Sequence, residues 1–155
     1  MEYYKETQFL PQIPNYLIDD IDTIKSRGNM FDPKYEYFYS SYLVSTNLKL
    51  FLNDYFDRPI NARYQLISSQ LPVHIDFAGI SIKYNYLLTT GGDNVTTRWW
   101  NSLENPTKIL YENCAALHVW HELNVAVPHD ISPIESYRLS IEIHIPTKKE
   151  YLDEM

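Results

Sequence analysis

The segment from Ser136 to Ile145 restricts the fold more than any other. Leu139, Ile141, Ile143 and Ile145 alternate there with Arg138, Ser140, Glu142 and His144. A period of two is the period of a strand, so one face is aliphatic and the other polar and charged. An Arg on such a strand needs an anionic partner if it is buried, either a protein carboxylate such as Glu142 or Asp130, or a bound acid.

Earlier segments carry the same signal. Residues 61–69 and 80–88 are rich in strand formers, and the second places Ile80, Ile82, Tyr84 and Tyr86 opposite Ser81, Lys83 and Asn85. Gly91-Gly92-Asp93-Asn94 marks a turn before a strand over Val95–Trp100, and further short strands are expected at 107–112, 116–121 and 123–127. The first third reads differently. Residues 1–34 are irregular around Pro11, Pro14 and Pro33, with a short helix near Tyr16–Lys25. Ser40 or Ser41 is placed to cap a helix running to about Tyr55, with Val44, Leu48, Phe51, Leu52 and Tyr55 on one face. The expected fold is mainly β: a sandwich or jelly roll with an N-terminal helical region packed on one sheet. Residues 1–58 would support a core over 60–146, within one domain of 155 residues.

Charge and composition narrow the function. Thirteen basic residues against twenty acidic ones give a formal charge of −7, which argues against a basic nucleic-acid surface or a polybasic membrane anchor. No apolar run approaches the ~20 residues that span a bilayer, and Met1-Glu2-Tyr3-Tyr4-Lys5-Glu6 is not a secretion signal, so a cytoplasmic location is expected. One cysteine, Cys114, excludes an internal disulfide framework and a multi-cysteine zinc site. With only four glycines and no Gly-x-Ser-x-Gly elbow, neither a phosphate-cradling loop nor a serine hydrolase is indicated.

The chemistry concentrates in His74-Ile75-Asp76. In an extended segment residues i and i+2 share a face, so an imidazole and a carboxylate converge on one ion. His-x-Asp alone is common by chance, and a third ligand is needed. His129 precedes the final strand, and two imidazoles with one carboxylate leave positions open, as in non-haem Fe(II) oxygenases. Nine residues later, Arg138 and Ser140 share a strand face and offer a guanidinium fork and a hydroxyl to one carboxylate. His118 and His121, three residues apart in an apparent strand, face opposite sides and are expected to be structural. His144 lies six residues beyond Arg138, about 20 Å along a strand, and is expected to be peripheral. Trp99 and Trp100 face opposite ways, one into the core and the other free to wall a pocket; Lys148–Met155 reads as a solvated tail.

In this order, His74-x-Asp76, His129 and Arg138-x-Ser140, the chain resembles the 2-oxoglutarate- and Fe(II)-dependent oxygenases over roughly residues 60–146. It looks nearest to the group of aspartyl/asparaginyl β-hydroxylase-like enzymes and free-proline hydroxylases, and Leu123–His129 looks like that group's approach to its second histidine. Some aspartyl hydroxylases there lack the carboxylate ligand, whereas Asp76 is present here. The resemblance implies a double-stranded β-helix of the cupin-like, jelly-roll kind. It implies Fe(II) on His74, Asp76 and His129, and 2-oxoglutarate held by Arg138 and Ser140, with Asn85 as a further contact. It also implies O2 as oxidant and hydroxylation of a small-molecule or peptide substrate, an amino-acid side chain above all. Trp99, Trp100 and Arg98 are the candidate substrate contacts, with no nucleic-acid or membrane partner. Two other readings stay open: a non-catalytic jelly-roll binding or structural protein, and a cupin-like isomerase or lyase that does not use 2-oxoglutarate.

Overall fold

The computed structural model describes residues 2–26, 30–31, 39–68, 71–76 and 82–145. In chain order the elements are β1 (Tyr4–Glu6), a 3-10 turn (Asn15–Leu17), α1 (Ile21–Ser26), β2 (Met30–Phe31), β3 (Tyr39–Leu43) and α2 (Thr46–Asn53). Then come β4 (Asn61–Ile67), β5 (Leu71–His74), β6 (Ile82–Thr89), β7 (Thr96–Trp100), β8 (Ile109–Asn113), β9 (Trp120–Asn124), β10 (His129–Ser132) and β11 (Arg138–His144). The strands form two antiparallel sheets, a larger one ordered β1-β9-β6-β11-β4-β3-β2 and a smaller one ordered β5-β10-β7-β8. From β4 onward the chain passes repeatedly from one sheet to the other, a jelly-roll-like arrangement.

β11 is a central strand of the larger sheet and sorts its side chains as the alternation predicts. Ile141 lies beside Tyr64 and Tyr86, and Glu142 beside Arg63 and Asn85. Residues directly opposite across a ladder share a face. On the first face Tyr42, Tyr64, Ile141, Tyr86 and Trp120 form one row. They join Leu139, Ile143 and Ile13, Ile24, Leu48 and Leu52 of the N-terminal region in the main apolar core. The helical region therefore packs on one sheet. The second face, toward the smaller sheet, carries buried Ser41, Gln65, Asn85, His121, Arg138, Ser140, Glu142 and His144. Ile67, Leu71, Val95 and Ile131 form a small apolar cluster joining the two sheets. The main core thus lies outside the sandwich, and the space between the sheets is lined with polar groups.

Several boundaries differ from expectation. Ser40 and Ser41 lie in β3, paired with Leu66 and Gln65, and the cap is Ser45, whose hydroxyl accepts from Leu48 N–H at 3.2 Å. α2 buries Leu48 and Leu52 one turn apart, while Tyr55 lies beyond its end, 41% exposed. Strand pairing with β4 outcompeted local helix formation over 39–43. The strands expected at 116–121 and 123–127 are one strand, β9. Before it the chain turns at His118, whose φ is +57° and whose N–H bonds Leu87 O. After it Asn124 Oδ1 accepts from Ala126 N–H. Residues 1–34 are less irregular than read, since they contribute β1 and β2, and His144, at the far end of β11 from Arg138, is buried. The expected solvated tail lies outside the described residues. Among those described, no helix is long and apolar enough to cross a membrane.

Candidate metal centre

β5 and β10 pair antiparallel with His74 directly opposite His129, so the two imidazoles share a face with ring centroids 4.3 Å apart. Asp76 follows two residues after His74, and its N–H bonds Val125 O at 3.1 Å, which fixes the turn out of β5. Cross-strand pairing and an i, i+2 step together bring one ligand atom from each residue within 4.8 Å of the others. Sequence periodicity supplied the i, i+2 step, and the sheet supplied the pairing.

The hydrogen bonds define what this cluster accepts. His74 Nδ1 lies 2.7 Å from Pro72 O, and His129 Nδ1 lies 2.7 Å from Val127 O. A carbonyl only accepts, so each Nδ1 carries the proton and donates it. Both Nε2 atoms then face Asp76 Oδ1, at 3.6 Å from His74 and 3.3 Å from His129. Burial, reinforced by the neighbouring His129, pushes His74 down to about 4, so at neutral pH its Nε2 presents a lone pair. A lone pair on His74 Nε2 facing a carboxylate oxygen is repelled by it unless a cation sits between them. Backbone carbonyls orienting the far nitrogens are also the usual outer support of metal-ligating histidines. The donor set fits a first-row divalent metal held by three ligands.

Two further charges complete the centre. Lys83 Nζ lies 2.6 Å from Asp76 Oδ2 and 2.8 Å from Glu142 Oε2. Burial alone would push Asp76 up, but Lys83 and His129 hold its carboxyl well below the usual range. Burial raises Glu142 instead, against the opposing pull of Lys83. The sequence showed Lys83 and Asn85 on one strand face and Glu142 on the Arg138 face, but not that the two would meet at Asp76.

Arg138 is 2% exposed at the start of β11. Its Nε donates to Thr90 O at 2.9 Å and its Nη2 is buried without a partner. The two acids weighed as structural partners are engaged elsewhere, Glu142 with Lys83 and Asp130 with Arg98. Gly91, at φ +90°, lets the preceding turn close on this site, since a Cβ there would stand 3.2 Å from Arg138 Cβ. Ser140 lies on the same face, buried, and Asn85 lies beside Glu142 with its Oδ1 buried and unpartnered.

The three candidate substrate contacts separate. Trp99 is opposite His129 on the inner face, fully buried, and donates from Nε1 to Asn124 O at 2.8 Å. Arg98 and Trp100 point the other way, where Arg98 forks Asp130 and Trp100 Nε1 donates to Asp130 Oδ1 at 3.0 Å. His121 is buried between Tyr4 Oη (2.7 Å) and Ala116 O (3.1 Å), while His118 is exposed and stacks on Tyr86. Neither approaches the cluster of His74, Asp76 and His129 as a ligand.

No model of a protein family matches the chain, and no curated protein matches it. Among solved structures it is similar to Fe(II)-HppE with the alternative substrate (S)-1-HPP, at 11% identity and a TM-score of 0.48 over 86% of this chain and 62% of that one. It is similar to an oxidoreductase of the 2OG-Fe(II) oxygenase family from Burkholderia pseudomallei, at 15% identity and a TM-score of 0.45 over 79% of this chain and 74% of that one. It is also similar to procruciferin, an 11S globulin from Brassica napus, at 10% identity and a TM-score of 0.45 over 86% of this chain and 32% of that one. The chain thus spans less than two thirds of the HppE chain and about a third of the globulin. Likenesses this distant transfer no chemistry, and the site stands on its own geometry.

Proposed function

We propose that this chain is a non-haem Fe(II) oxygenase that uses 2-oxoglutarate and O2 to hydroxylate an amino-acid side chain, free or in a peptide, releasing succinate and CO2. The observation that carries the reading is the convergence of His74 Nε2, His129 Nε2 and Asp76 Oδ1 with both Nδ1 atoms already committed to carbonyls. The strand orders β4-β11-β6-β9 and β5-β10-β7-β8 support a double-stranded β-helix as the scaffold. Arg138 supports the cosubstrate, because a buried guanidinium with an unpartnered nitrogen and, among the described residues, no free acid paired with it suits a ligand carboxylate. The amino-acid class and the hydroxylase grouping rest on the Leu123–His129 resemblance, and the charge of −7 disfavours nucleic acid.

Fe(II) held by these residues would supply the redox chemistry, with the protein contributing position and electrostatics. His74 and His129 present their Nε2 atoms on one side, and Asp76 adds the negative charge. Arg138 would fix the distal carboxylate of 2-oxoglutarate, with the Ser140 hydroxyl on the same strand face as a second donor. Trp99 closes the inner face beside His129.

Anaerobic addition of Fe(II) and 2-oxoglutarate should give a weak visible band near about 500 nm, a property of that cosubstrate on ferrous iron. His74→Ala and His129→Ala should each remove it together with stoichiometric iron binding. Iron bound without the band would refute the cosubstrate assignment and favour a cupin-like metalloenzyme. A wild type that binds no iron would refute the metal centre and leave a binding or structural protein. Succinate release over a panel of amino acids and short peptides then tests the substrate class, and turnover with nucleic acid or lipid alone would overturn it.

A further inference from the structure

We propose that Lys83 and Glu142 are positioning residues that reserve one oxygen of Asp76 and so keep three positions open on the bound metal. This rests on the metal reading above. The two oxygens of Asp76 face different neighbours: Oδ1 faces the imidazoles at 3.3 and 3.6 Å, and Oδ2 lies 2.6 Å from Lys83 Nζ. A carboxylate held in this way gives an ion one oxygen. Lys83 also engages Glu142 Oε2 at 2.8 Å, a buried carboxylate that holds the ammonium in place from the other side. One ammonium therefore restrains two acids.

The charges are matched as well as the geometry. A lone ammonium against Asp76 would repel a divalent cation at the same carboxylate. Glu142 cancels that charge, so the pair can orient Asp76 without weakening it as a ligand. The consequence is a count. A six-coordinate ion with two imidazoles and one carboxylate oxygen has three positions left, enough for a chelating acid and one small molecule. If Asp76 chelated, the chelating acid would fill the site.

Mn(II) favours such oxygen-rich octahedral sites, and water-proton relaxation at saturation reports how many exchangeable waters it carries. Wild type should hold three. Lys83→Met should hold two, a fall of about a third in relaxivity per ion. Because Lys83→Met leaves Glu142 buried and unpaired, Lys83→Met/Glu142→Gln is the companion variant. It replaces the ion pair by neutral groups of similar size and should also hold two. Glu142→Gln alone keeps the restraint on Asp76 and three waters, but leaves the ammonium uncompensated and should weaken Mn(II) by about 10- to 100-fold. A pair that served only packing would change affinity and leave the water count alone. The assignment is overturned by a wild type with two waters, by a double variant with three, or by a folded double variant that no longer binds Mn(II). A wild type that binds no Mn(II) overturns the metal reading itself, which is a separate failure.

Discussion

Replacing Arg138 with Met should leave the ligand-free protein about as stable as before while removing its response to 2-oxoglutarate. Burial holds the guanidinium down from its ordinary 12.5 to about 10. A depression of that size corresponds to about 3 kcal/mol of unfavourable desolvation for the charged form, present at every pH below about 10. Against it stands one charge-assisted hydrogen bond, Nε to Thr90 O at 2.9 Å, which contributes about 1.5–3 kcal/mol. Met keeps the aliphatic stem that packs against Gly91. The expected change is therefore between zero and a gain of about 1.5 kcal/mol. An Arg serving as one partner of a buried structural ion pair would instead lose about 3–5 kcal/mol on removal. Urea unfolding followed by circular dichroism, with and without 2-oxoglutarate on the Fe(II)-loaded protein, separates the two. Ligand at a hundred times its Kd should stabilise wild type by about 2.7 kcal/mol and the variant not at all. A ligand-free loss of about 3 kcal/mol or more, or equal stabilisation of both proteins, would refute the reasoning.

Stability of the metal-free protein should fall as pH drops from about 6.5 to about 4. His74 takes its proton near 6.5 when unfolded and near 4 when folded, so the unfolded chain binds more protons throughout that window. The loss should reach up to about 3 kcal/mol, and a His74→Gln variant should show a flatter pH series of urea midpoints. Asp130→Asn should cost about 2 kcal/mol, because buried Asp130 accepts from both Arg98 and Trp100. Its metal content should stay unchanged, since Asp130 points away from the face that carries His129. Loss of metal with an intact melting transition would contradict that placement.

What the sequence made legible was local. β11 could be read because alternation over ten residues has one structural explanation, and because its two faces differ so sharply in polarity. His74 and Asp76 could be paired for the same reason. The start of α2 could not, because Val44 through Tyr55 fits a helical period as well as it fits a strand followed by a shorter helix. Pairing of β3 with β4 decided it. Alternation likewise separated Trp99 from Arg98 and Trp100, but which set faced inward depended on β10 lying beside β7. The junction of Lys83, Asp76 and Glu142 was out of reach because it joins three separate segments across the space between two sheets.

The inner face of the larger sheet departs from what stability alone would select. A row of buried Arg, Ser, Glu and His on a central strand is costly unless every group is satisfied, and apolar residues there would have extended the core at lower cost. Two of the cations on this face, Lys83 and Arg138, resolve that cost differently. Lys83 is bracketed by two carboxylates, so its charge is met within the protein. Arg138 has a single carbonyl on Nε and an unpartnered Nη2. An anionic ligand entering between the sheets gains more at Arg138, where it relieves an unmet donor, than at Lys83, where it would compete with Asp76 and Glu142. The direction of a bound acid follows. On the proposed function, one end would go to Arg138 and the other to a metal held by His74, Asp76 and His129, with Lys83 left to hold Asp76 and Glu142.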